Sequence, residues 1–189
     1  MFASIITTTL FFSTISVTIS LRSLFINQQT SFSERRSLIT FDDITNTTDT
    51  PGVPVPNNYG GLNWENVLVL NGLNFSNPGT GYRTGVVSPP YLAFNGYGSP
   101  MTIESATASK LFTAHSFYSC AVWYDNITLA MTGSRSGTIL FKKTVSLFIQ
   151  NRTLVELNWP GIDNIHLTSI CYWCCDAKHF TMDNLVVTF

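Results

Sequence analysis

His179-Phe180-Thr181-Met182-Asp183-Asn184-Leu185-Val186-Val187-Thr188-Phe189 closes the sequence and decides its fold. The stretch reads as a β-strand, because β-branched and aromatic residues surround one short acidic interruption. Leu38-Ile39-Thr40-Phe41-Asp42-Asp43-Ile44 has the same character. It too carries side-chain oxygens where the apolar run breaks. Two terminal strands lying side by side, with the rest of the chain folded between them, close an all-β sandwich in the simplest way. The expected class is a secreted β-sandwich serving as a binding module.

Composition agrees with that class. The chain has 189 residues, of which 11% are charged and 13% aromatic, whereas about 25% charge is ordinary. Low charge with many aromatics suits a β-rich extracellular protein. A disordered chain would show the opposite balance. A net charge of −1 leaves no electrostatic footprint for nucleic acid or an anionic membrane.

Met1 to Ser20 reads as a signal peptide. Ile5, Ile6, Leu10, Phe11, Phe12, Ile15, Val17 and Ile19 form an apolar region, and Thr18 and Ser20 suit cleavage before Leu21. Arg22 follows that region, so a retained membrane anchor is the alternative. Either way the domain is expected to be extracellular. Residues 21–37 read as a flexible linker, with a dibasic processing site at Arg35-Arg36 as the sharper reading. The domain proper is expected at 38–189.

Beyond Ile44 the chain alternates strands and turns. Thr45 to Gly61 is a long loop, whose Pro51, Pro54, Pro56 and Gly60-Gly61 exclude helix and regular pairing. Strands are expected at 62–70, 84–94, 101–107, 138–149, 153–159 and 164–170. Phe117 to Tyr124 and Ile127 to Thr132 form the clearest expected hairpin, turning at Asp125-Asn126. Roughly ten short strands without a helical period point to a sandwich or jelly roll.

Several pieces in order carry a resemblance. They are Ile39-Thr40-Phe41-Asp42-Asp43, Pro54-Val55-Pro56-Asn57-Asn58-Tyr59-Gly60-Gly61-Leu62-Asn63-Trp64 and Gly85-Val86-Val87-Ser88. Asn95-Gly96-Tyr97-Gly98, Leu129-Ala130-Met131-Thr132-Gly133, Gly137-Thr138, Gly161-Ile162-Asp163 and His179 to Asn184 follow. The order resembles secreted, largely uncharacterised β-sandwich proteins of bacteria and fungi, some with a PEP-CTERM sorting tail. That resemblance spans about Ile39 to Phe189. It implies a galactose-binding-like or carbohydrate-binding-module jelly roll, and no established activity. The Cys-rich insertion from Cys171 to Cys175 departs from the pattern.

Candidate chemistry falls into four groups. Asp42, Asp43, Asp183 and Asn184 offer the hard oxygens that calcium prefers; the resemblance implies such a structural calcium near the terminal strands. The alternative is that these groups bond to loop backbone. Cys120, Cys171, Cys174 and Cys175 suggest disulfides in an oxidising compartment, with Cys120 tying the hairpin to one loop cysteine. A zinc site with His179 is the lesser reading. Asn46, Asn74, Asn126 and Asn151 head glycosylation sequons. Asn57, Asn58, Tyr59, Trp64 and Tyr97 supply the mixture of aromatic faces and amides with which sugars are bound.

Trp123 and Trp159 are expected in the core. Catalysis has little support, since Glu65, Glu104 and Glu156 show no spacing that singles out a carboxylate pair, and lone histidines are more often structural. The expected partner is therefore a glycan or a cell-surface or matrix component. The alternatives are a structural or adhesive protein contact and, third, a small glycoside hydrolase.

Overall fold

β-Strand patterning dominates the computed structural model, which describes residues 35–44, 51–172 and 178–189. The signal segment, residues 21–34 of the linker and the sequon at Asn46 lie outside the described residues. Arg35–Phe189 forms one unit. The chain runs β1 (Arg36–Ile39), β2 (Val53–Pro54), β3 (Leu62–Glu65), β4 (Val67–Asn71) and a short helix α1 (Gly81–Gly85). It continues through β5 (Tyr91–Asn95), β6 (Met101–Ser105), β7 (Phe112–Ser119), β8 (Ile127–Arg135) and β9 (Thr138–Leu147). Then come β10 (Thr153–Ile162), β11 (Asn164–Ile170) and β12 (Thr181–Thr188). Arg36 and Ser37, expected in the linker, belong to β1.

The strands form two antiparallel sheets, giving the jelly-roll sandwich that the sequence leads one to expect. One sheet has the order β10-β7-β12-β5-β4-β2, with β1 also paired to β12; the other has the order β3-β6-β11-β8-β9. The terminal strands do lie side by side, with Ile39 opposite Leu185 and Arg36 opposite Thr188.

Alternation explains how the sheets face each other. Along β8, Ile127, Leu129, Met131 and Gly133 are buried while Thr128, Ala130, Thr132 and Ser134 are only partly so. Period 2 puts the first set inward and the second outward. Val155, Leu157 and Trp159 of β10 and Ile165 and Leu167 of β11 join the same core. Burying each such side chain contributes about 1.5–3 kcal/mol. Gly133 has a steric duty: a Cβ there would come 2.7 Å from Cε3 of Trp159. Its bareness lets Trp159 lie flat against Phe141, with ring centroids 5.7 Å apart and planes 9° from parallel. A smaller second core gathers Leu70, Tyr82, Leu92, Phe94 and Val122.

Four expectations need correction. The hairpin does not exist, because β7 and β8 belong to different sheets and the chain crosses the sandwich between them. Residues 84–90 are not strand; Gly81–Gly85 is helical, and Asp183 holds the following turn. The expected strand 62–70 divides at Asn66, whose φ of 57° turns the chain from β3 in one sheet to β4 in the other. Cys120 is a free, buried thiol, and so ties nothing to the Cys-rich loop. Cys174 and Cys175 lie outside the described residues.

Cys120 sits beneath α1, with its Sγ 3.0 Å from the Gly81 carbonyl and 3.3 Å from Thr181 Oγ1. Burial pushes its thiol up to about 11, so little reactive thiolate exists at neutral pH. Thiol alkylation followed by peptide mass mapping is expected to leave Cys120 unlabelled in the folded protein and labelled after denaturation. Labelling of Cys120 at equal rates in both states would contradict this placement.

Candidate functional site

The outer face of the five-stranded sheet is polar from β3 across to β8, with Ile139 and Leu140 exposed on the β9 edge, and strand register explains why. Asn63 of β3 lies opposite Glu104 of β6, Glu104 opposite Asn164 of β11, and Asn164 opposite Ser134 of β8. The neighbouring outward row is Glu65, Thr102, His166, Thr132 and Lys142. Each of these strands buries its alternate residues, so its polar ones must face out.

Neighbouring side chains hold the face in order. Asn164 Nδ2 donates to Glu104 Oε1 at 2.9 Å. His166 lies between two hydroxyls, with Nδ1 3.4 Å from Thr102 Oγ1 and Nε2 3.2 Å from Thr168 Oγ1. Two polar clefts flank Glu104. The larger, about 390 Å³, is lined by Glu104, Ser105, Thr107, Ser134, Asp163 and Asn164 among others. The smaller, about 170 Å³, is lined by Asn57, Asn63, Trp64, Glu65, Thr102 and Glu104. Asp163 is held by the Ser136 N–H, which donates to Oδ2 at 2.7 Å. The face therefore offers carboxylates, amides, hydroxyls and an imidazole on rigid strands.

The expected sugar-contacting residues disperse. Asn57 and Trp64 line the smaller cleft, but Trp64 is only 8% exposed and donates its Nε1–H to the Tyr59 carbonyl at 3.0 Å. Tyr59 stacks on Phe41 at 5.9 Å, and Phe41 meets Trp64 edge-on at 5.5 Å. The Tyr59 hydroxyl donates to Asp43 Oδ1; burial first, and this bond second, raise its pKa. These rings seal one end of the core and present no open platform. Asn58 N–H donates to Asn63 Oδ1 at 3.1 Å, which fixes the loop beside the cleft. Tyr97 lies by the other sheet. Trp123, expected in the core, is only half-buried and lines a pocket there; Trp159 is a core residue.

Asn63, Thr102, Glu104, Asn164 and His166 escaped the sequence reading as a group. Their alternation with buried residues in β3, β6 and β11 was the available signal. Glu65 and Glu104 share the outer face, whereas Glu156 is on β10 of the other sheet. Asn74, Asn126 and Asn151 are all exposed, as glycan acceptors would be.

The four expected calcium ligands have other work. Asp183 is fully buried in β12. Its Oδ2 accepts the N–H groups of Val87 at 2.7 Å and Ser88 at 3.0 Å, and its Oδ1 accepts the Ser88 hydroxyl at 3.3 Å and the Asn184 N–H at 2.7 Å. Four donors leave neither oxygen open for a cation. Asp42 Oδ1 accepts the Tyr91 N–H at 3.1 Å, and Asp43 serves Tyr59. Asn184 Oδ1 is buried without a partner among the described residues, yet one amide oxygen falls far short of the six to eight that calcium takes. Among the described residues no three His, Cys, Asp or Glu side chains gather as a metal group. The set fits the alternative reading, carboxylates that anchor loop backbone.

Burial pushes the Asp183 carboxyl up to about 6; the Val87, Ser88 and Asn184 N–H groups pull against that, and the Asp42 charge adds to it. His179 shifts the other way, its pKa lowered by burial.

No family model and no curated protein matches this chain. Among solved structures it is similar to the K2 cleaved adhesin domain of Lys-gingipain, with a TM-score of 0.50 and 11% identity over 82% of this chain and 98% of that one. TmCBM61, solved in complex with β-1,4-galactotriose, gives a TM-score of 0.36 and 11% identity over 70% of this chain and 93% of that one. At such identities the likeness is one of fold, and it rests on the adhesin domain.

Asp183→Ala removes the acceptor of three N–H donors, those of Val87, Ser88 and Asn184, and is expected to cost about 3 kcal/mol of stability. The sign of its pH dependence follows from the raised pKa. Asp183 stabilises the fold fully below its ordinary value of 3.8, and that contribution is lost as pH rises through about 6. The stability gap between wild type and Asp183→Ala is therefore expected to narrow from pH 4 to pH 7 in urea titrations. His179 acts in the opposite sense in both proteins, so the difference between them is the diagnostic quantity. Chelator is expected to leave the melting temperature unchanged; a fall that added calcium reverses would restore the cation reading.

Proposed function

We propose that this domain is a carbohydrate-binding module whose ligand lies across the polar outer face of the five-stranded sheet, centred on Glu104. The observation that carries the reading is the pair of polar rows running across that sheet, flanked by two clefts that share Glu104. A sugar presents hydroxyls at close and regular spacing. Carboxylates and amide oxygens accept from them, while Asn63, Asn164 and Lys142 donate to them. Because these groups stand on paired strands, little ordering entropy is lost on binding.

The face is shallow and open, which suits an extended chain of sugars better than a single small molecule held in a deep pocket. Trp64 supplies only the edge of a ring, so hydrogen bonding carries more of this affinity than stacking does. In this reading the protein acts outside the cell on glycans of a surface or matrix. The adhesin domain to which the fold is similar is consistent with a binding role but says nothing of the ligand.

A glycan array probed with the full chain, expressed through a secretory pathway, tests the proposal. Saturable binding to one sugar class is expected, weakened about tenfold or more by Glu104→Ala or Asn63→Ala, since lost hydrogen bonds to a charged group are worth roughly 1.5–3 kcal/mol. Tyr59→Ala is expected to lower the melting temperature rather than change ligand preference. Silence across the array from a folded sample, or binding indifferent to Glu104 and Asn63, would sink the reading. Release of reducing sugar from the bound glycan, lost in Glu65→Gln or Glu104→Gln, would turn it into a hydrolase.

A further inference from the structure

On the other sheet, a cavity of about 200 Å³ opens between β4, β5 and the segment leading into β12. Leu68, Phe94, Tyr82, Trp123, His179 and Tyr97 line it. Its rings stand at steep angles to one another: Tyr82 meets Phe94 at 5.1 Å and 77°, and Trp123 at 5.7 Å and 87°. The His179 ring lies 5.7 Å from Phe94. The wall is almost entirely carbon, for two of its polar atoms satisfy each other: the Tyr82 hydroxyl and His179 Nδ1 are 2.6 Å apart. Among the described residues no Asp, Glu, Lys or Arg lines it.

Tyr97 supplies the second observation. It is 83% exposed and held at a φ of 55°, in the left-handed region that a bulky residue seldom adopts. The strain is maintained from below. Asn95 is fully buried; its Nδ2 donates to the Ser99 and Lys178 carbonyls at 3.1 Å, and its Oδ1 accepts the Phe180 N–H at 2.7 Å. These bonds fix both ends of the Gly96–Gly98 turn against the chain entering β12. A large ring is thus kept in water, at the mouth of an apolar cavity, by a strained loop whose ends are hydrogen-bonded. Strain of this kind, beside a cavity, motivates a functional reading.

We propose that this pocket is a second binding site, specific for a small uncharged aromatic molecule of one substituted ring, which enters between Tyr97 and Trp123. Size supports this class, since an apolar cavity of about 150 Å³ already takes benzene, whereas drug-sized ligands need roughly 300 Å³ or more. Chemistry supports it too. A pyranose would lose water from hydroxyls all around its ring and find carbon in exchange, which is unfavourable. A charged ring would meet no counter-ion among the described lining residues. An uncharged one gains edge-to-face contacts with Tyr82, Phe94 and Trp123. The site stands on a different sheet from Glu104 and does not depend on the glycan reading.

The test is a titration of the full-length protein with p-cresol, followed by saturation-transfer NMR and calorimetry. Methyl β-galactoside and benzoate serve as the sugar and anion controls. Saturable p-cresol binding is expected, unaffected by Glu104→Ala. Tyr97→Ala is expected to weaken it by about three- to tenfold, the worth of one aromatic contact, and Tyr97→Phe to restore it. Because Tyr97 is exposed, its replacement leaves the fold intact, which the melting temperature verifies. Absence of saturable binding by folded protein, displacement of p-cresol by the galactoside, or indifference to Tyr97→Ala would each overturn the proposal.

Discussion

The buried carboxylate of Asp183 is the constraint on which the rest of this sandwich depends. β12 lies at the centre of its sheet and pairs with three strands: β1 and β5 along one side of it and β7 along the other. A central strand so placed would ordinarily carry only apolar side chains. Here an acid sits in its middle and reaches out of the ladder to take the backbone of Val87 and Ser88. Those N–H groups belong to the irregular stretch between α1 and β5, which has no ladder of its own to satisfy them. Leaving them buried and unbonded would cost about 1–3 kcal/mol each. The carboxylate resolves that difficulty, and in doing so fixes where β5 begins.

Asn95 does the same work at the far end of β5. Its side chain substitutes for three missing backbone contacts around the Gly96–Gly98 turn. Between them, Asp183 and Asn95 show how a sandwich with long loops satisfies its backbone: a few buried polar side chains on central strands serve the loops that no strand can reach. Both residues are wholly buried; Asp183 reaches the loop between α1 and β5, while Asn95 also meets Ser169 of the opposite sheet, with Nδ2 and Oγ 3.5 Å apart. On the five-stranded sheet Ser169 does a smaller share of that work, its buried hydroxyl donating to the Lys178 carbonyl. Strands β6, β8 and β11 of that sheet are regular and well paired, so its other polar residues remain free to face solvent.

The architecture was legible in the sequence where period 2 was unbroken. β8, β10 and β11 alternate cleanly, and the pairing of the two chain ends followed from their shared composition. Reading failed where a strand-like stretch was claimed by something distant. Phe117 to Tyr124 and Ile127 to Thr132 look like a hairpin in isolation, yet each strand finds better partners elsewhere: β7 lies between β10 and β12, and β8 between β11 and β9. Thr84 to Ser88 looks extended by composition, but Gly81 and Gly85 permit a close approach that no other residue would. A Cβ at Gly81 would lie 1.8 Å from the Ala121 carbonyl oxygen. Such contacts have no local signature. The polar face was half legible. Its residues alternate visibly, but that Asn63, Glu104 and Asn164 share one row depends on strand order, which the sequence does not encode locally.

The aromatics make the same point about function. Tyr59, Trp64 and Tyr97 all occur beside Gly, Asn or Pro, and composition treats them alike. Their fates differ because of what the fold brings to them. Phe41, turned in at a φ of 65°, fills the space beside Tyr59 and Trp64 and makes them a plug for the end of the core. Tyr97 receives no such neighbour on its outer side, and the Asn95 network prevents its loop from folding down to find one. Whether a loop aromatic seals or binds is therefore decided by the residues that hold its backbone. In this protein those residues are the buried polar ones, and the same interaction that stabilises the fold also sets which rings remain available to a ligand.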